Sequence, residues 1–85
     1  LRYGILVKAN LKGANLKGAD LRYSILTGAN LRGADLEYAN LRGAYLVNIN
    51  LRDAYLSKAV LTGAILRGAN LSDAILSGAI FWENE

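Results

Sequence analysis

The chain has 85 residues, 53% of them hydrophobic, a formal net charge of +3, and no Pro, Cys, Met or His. That length suits one small domain. The missing Cys and His exclude disulfides, thiolate chemistry, nucleophile–His pairs and the usual zinc sites. Polar or charged residues interrupt every apolar stretch, so neither a transmembrane helix nor a signal peptide is expected. No targeting segment stands out in the chain, which favours a cytoplasmic location. Positive charge is concentrated early: residues 1–42 carry seven bases and three acids, residues 43–85 three bases and four acids. A bias this mild serves solubility and does not by itself imply a nucleic-acid partner.

Leucine recurs every five residues from Leu1 to Leu76, and Phe81 takes the seventeenth slot. Ala stands two residues before most of these positions, with Gly4, Ser24 and Ile49 as exceptions. A helix would turn each leucine ~140° from the last and scatter them over every face. In a flat strand an odd spacing points successive leucines to opposite sides. A chain that turns once per repeat satisfies the pattern. Ala-x-Leu then forms a short extended piece with both side chains inward, and the two residues after Leu, often X-Gly, make the turn. Such repeats build a solenoid, each layer covering the next.

The residue before each Leu gives the number of repeats per coil. Between positions 5 and 80, residues four repeats apart agree in polarity in ten of twelve pairs, against six of thirteen at three repeats and three of eleven at five. The prediction is a coil of four repeats and 20 residues, and about four coils. In chain order, coil 1 (1–20) carries Ile5, Asn10, Asn15 and Asp20 at these positions, and coil 2 (21–40) carries Ile25, Asn30, Asp35 and Asn40. Coil 3 (41–60) carries Tyr45, Asn50, Tyr55 and Val60, and coil 4 (61–80) carries Ile65, Asn70, Ile75 and Ile80. Residues 81–85, "FWENE", end the single domain as a cap or a dimer contact. Phe81 is placed to plug the tube and Trp82 to cover its rim. An uncovered coil end also invites pairing with a second copy, so a homodimer through one end is expected, the aromatic C-terminal end first.

"ANLKGANLKGADL" at 9–21 and "ANLRGADLEYANLRGA" at 29–44 resemble the pentapeptide-repeat proteins, whose unit reads Ala-(Asp/Asn)-Leu-X-X. The resemblance covers the whole chain. It implies an all-β fold, a right-handed quadrilateral parallel β-helix. The chain departs from the family pattern before Leu, where only eight of sixteen residues are Asn or Asp. The stacked Asn10, Asn30, Asn50 and Asn70 have two readings: a ladder of side-chain amides, or hydrogen bonds that hold the turns.

Candidate sites follow from the columns. Catalytic residues, bound cofactors and metals are not expected. Asp53 and Asp73 fall on one corner, a pair that is usually solvated and only rarely holds a cation. Arg2, Arg22 and Arg42 form one basic column, and Lys12, Arg32 and Arg52 another. Tyr3 and Tyr23 adjoin the first, an arrangement that fits anion contact or a solvated face. Ile5, Ile25, Tyr45 and Ile65 form an apolar outward column, joined by Tyr55 and Ile75, then Val60 and Ile80, on other sides. Contiguous exposed apolar residues mark a contact surface; shielding by long neighbours such as Arg67 is the plainer reading.

The expected function is therefore a non-enzymatic structural or protein–protein interaction module with a protein partner not identified by the residues. No membrane contact is expected, and nucleic acid is disfavoured. The resemblance implies an alternative, since some family members are DNA-mimicking modulators of DNA gyrase or another type II topoisomerase. That role needs phosphate-like negative charge, which a chain of net charge +3 lacks. A weak polyanion or nucleic-acid binder acting through the Arg columns is the third reading.

Overall fold

The computed structural model describes residues 1–82. The architecture is a β-solenoid. Twelve parallel bridges join residues 20 apart, from Ile5–Ile25 to Val60–Ile80. Each bridge residue is the one before Leu or, for Ile80, before Phe81, so one bridge per repeat ties each coil to the next. Around each bridge, hydrogen bonds run in both directions. Asn30 N donates to Ala9 O at 2.9 Å in the preceding coil, and Leu31 N donates to Asn50 O at 2.8 Å in the following one. The period of 20 expected from the polarity of these residues is thus the period of the backbone pairing.

Between bridges the chain turns. In every repeat from Leu1 to Leu76, the Leu carbonyl accepts from the N–H three residues on, as in Ala34 N to Leu31 O at 3.0 Å. The second residue after Leu has a positive φ, between 57° and 73°. This is the pattern of a type II turn, in which the third position needs a left-handed backbone. Gly supplies that conformation at half of these positions and Tyr, Lys, Asn or Asp at the others.

Two departures from the inward Ala leave a mark on their turns. Ser24 is fully buried, and its hydroxyl donates to Leu21 O at 2.7 Å, which satisfies it. Ile49 fills an Ala slot with a larger side chain at 1% exposure. The turn bonds closing at these two residues, Ser24 N to Leu21 O and Ile49 N to Leu46 O, stretch to 3.2 and 3.3 Å.

The core is the axis of the coil. Leu21 through Leu61, with Ala29, Ala34, Ala39, Ala44, Ala54 and Ala59, are buried. Each such Leu gains roughly 1.5–3 kcal/mol from leaving water. At the two ends that gain is incomplete. Leu6, Leu11 and Leu16 at one end, and Leu66, Leu71, Leu76 and Phe81 at the other, are only partly buried against the same cluster. Among the described residues no helix is long and apolar enough to cross a membrane.

Candidate interaction surface

The bridge residues stand outward in four columns. One reads Ile5, Ile25, Tyr45, Ile65 and is apolar throughout, each member exposed. The next reads Asn10, Asn30, Asn50, Asn70. The remaining two change character along the axis: Asn15, Asp35, Tyr55, Ile75 and Asp20, Asn40, Val60, Ile80. The first of these columns is the candidate contact face.

The polar members have a clear job. All eight accept a hydrogen bond on Oδ1 from the backbone N–H two residues on. Asn30 Oδ1 to Arg32 N, for example, is 3.0 Å. These are Asx turns, which hold the first turn residue in place. Of the two readings of the Asn column, the geometry is that of turn stabilisation. Ile5, Ile25 and Ile65 have no side-chain acceptor, and the one side-chain oxygen of Tyr45 is at the far end of its ring, so these repeats form the same turn without this bond. That apolar column gives up an intramolecular bond and sets a row of large side chains on the surface.

The basic columns are partly neutralised. Arg22 donates to Asp20 through Nε and Nη2, both at 2.8 Å. The paired guanidinium holds the Asp20 carboxyl well below the ordinary carboxylate range, and the Asp20 carboxylate raises Arg22. Arg32 Nε lies 3.5 Å from Asp53 Oδ2, and Lys17 Nζ 3.5 Å from Glu37 Oε1. Arg2 sits over the Tyr3 ring, 5.1 Å from its centroid. Lys12 and Arg52 lie beyond Asx turns that anchor their backbone N–H groups. Asp53 therefore faces Arg32, and no cluster of three or more acidic side chains is present among the described residues.

One feature was not anticipated by reading single residues. Tyr3 and Tyr23 stack, with ring centroids 5.4 Å apart and planes 13° from parallel. Both occupy the positive-φ turn position, and the two positions after them in this column are Gly43 and Gly63. The Tyr23 ring leans across Gly43, where an added Cβ would lie 2.5 Å from its Cε1. Over Gly63 an added Cβ would meet only the Gly43 backbone, at 3.8 Å. The result is an open groove of about 560 Å³ between Tyr23 and Trp82, floored by the two glycines, with Arg42 and Thr62 alongside. Trp82 is 74% exposed, its ring 6.5 Å from that of Phe81, so it forms a wall of this groove. Reading the turn positions in steps of 20, rather than the bridge positions alone, would have found the Tyr-Tyr-Gly-Gly column. The rest of the expected cap, residues 83–85, lies outside the described residues.

The family profile described as pentapeptide repeats (8 copies) matches residues 1–33, 9–46 and 44–82. The chain belongs to the pentapeptide-repeat family. Among solved structures it is similar to HetL, a pentapeptide repeat protein involved in heterocyst differentiation regulation from the cyanobacterium Nostoc sp. strain PCC 7120. The identity is 42%, the TM-score 0.57, and the match covers 93% of this chain and 39% of HetL. It is also similar to Rfr23 from the cyanobacterium Cyanothece 51142, at 40% identity and TM-score 0.51, over 93% of this chain and 64% of that one. A pentapeptide repeat protein of the Arabidopsis thaliana thylakoid lumen is 30% identical with TM-score 0.55, over 88% of this chain and 55% of its own. The chain thus spans between 39% and 64% of the length of these relatives. The comparison with curated proteins finds no match.

Proposed function

We propose that this pentapeptide-repeat chain is a non-catalytic interaction module: a right-handed, four-sided β-helix of about four coils that presents one apolar edge to a protein partner. The observation that carries this reading is the column Ile5, Ile25, Tyr45, Ile65, exposed along the axis where an Asn would have secured the turn. A rigid solenoid holds these side chains at one coil spacing, ~4.8 Å, before any partner arrives. Little ordering entropy is then spent on binding, which favours affinity from a small surface. HetL, described as involved in heterocyst differentiation regulation, is a relative built on the same repeat.

The double variant Ile25→Asp/Ile65→Asp tests the proposal. Both residues are partly exposed and lie outside the axial core, so folding should survive. The expected outcome is loss of a specific partner captured by the wild type, then confirmed by reconstitution with that purified partner. Equal capture by the double variant would remove the apolar column from the interface.

An end contact is a second reading, favoured by Leu66, Leu71, Leu76 and Phe81, which are less buried than the interior leucines. A second copy, covering the C-terminal coil, would complete their burial. Sedimentation that finds only monomer at tens of micromolar would remove it. A gyrase-directed DNA mimic is not favoured, because the net charge of +3 is of the wrong sign. Contact with a polyanion through the basic columns is weakened by the pairing of Arg22 with Asp20 and Arg32 with Asp53.

A further inference from the structure

We draw no further inference here: the strongest candidate, the open groove between Tyr23 and Trp82 over Gly43 and Gly63, carries none, because Arg42, the one cation among its described lining residues, already has an interaction of its own and nothing in the structure shows what covers the groove.

Discussion

Residues 1–40 and 41–80 follow the same backbone course with different surface chemistry. In the first half six of the eight bridge positions are Asn or Asp, each closing an Asx turn. In the second half only Asn50 and Asn70 do so, and the other positions are Tyr, Val or Ile. Yet the Leu-to-Ala turn bond and the bridge persist through both. Inward leucines and a left-handed turn residue are therefore sufficient to shape a coil. The Asx bond adds stability where it occurs, and the position before Leu is free to serve the surface.

The strongest test of that view removes a leucine from each half. Leu36 and Leu46 are both fully buried, one in the Asx-rich half and one in the apolar half. Leu36→Ala and Leu46→Ala should each cost about 2–5 kcal/mol in urea unfolding, through lost burial plus the cavity left behind. The two losses should agree closely. A much larger loss at Leu46 would mean that the apolar half depends on its core more than its neighbour does, and the sufficiency argument would fail. Leu11→Ala, at a partly buried end position, should cost less than either.

Next in size is the turn residue. Gly33 has φ 69°, and nothing lies within 4 Å of an added Cβ, so Gly33→Ala meets backbone strain without a clash. A loss of roughly 1–2 kcal/mol is expected. Tyr38, at φ 61° in the same half, carries that strain already, and its ring lies 5.6 Å from Lys58 Nζ. Tyr38→Gly should therefore be close to neutral, the relieved strain offset by the lost ring contact and the freer unfolded chain. An Ala at position 33 without cost would show that the turn accepts another conformation.

These positions also show how far the residues could be read without coordinates. The five-residue register and the 20-residue coil were legible because they rest on which side chains must share one axis. The Asp20–Arg22 pairing was legible in part, since the two flank the same Leu21. The role of the Asn column was not, because a ladder and an Asx turn demand the same residue and differ only in which way Oδ1 rotates. The groove at Gly43 and Gly63 was missed for a related reason. Each Gly reads singly as a turn residue, and the gap exists only because Tyr23 leans down its column and Trp82 stands across it.

Exchange of bridge residues sharpens the comparison on a smaller scale. Asn30→Ala removes the 3.0 Å bond to Arg32 N and should cost about 0.5–1.5 kcal/mol. Ile65→Asn introduces the missing acceptor in the apolar half and gives up an apolar side chain in line with Tyr45. A gain in stability, read as a higher melting temperature, would show that the Asx turn outweighs apolar stacking at that site. The proposed function would then follow more firmly, because the native Ile would be retained at a cost in stability. A loss would instead give the column a structural reason of its own.

The smallest expected effect is a pH dependence confined to the first half. Asp20 does two things there: Oδ1 accepts from Arg22 N to close the turn, and the carboxylate pairs with the Arg22 guanidinium. Its folded-state pKa is depressed by that pairing, so the folded protein binds this proton less readily than the unfolded chain, where Asp titrates near ~3.9. The stabilisation is present above that value and is lost as pH falls toward the depressed folded value. Asp20→Asn keeps an oxygen for the turn and deletes the charge. The melting temperature of the wild type should exceed that of the variant above about pH 5, and the gap should narrow progressively below about pH 4. Because both groups are partly exposed, added salt should shrink it as well. Val60 and Ile80 occupy the same column further along and carry no charge, so the part of the acid-induced rise in amide exchange that Asp20→Asn removes should lie in the coils that contain Asp20 and Arg22. A difference in melting temperature that stays constant from neutral pH to about pH 2 would show that the ion pair contributes nothing and that Asp20 is retained for its turn bond alone.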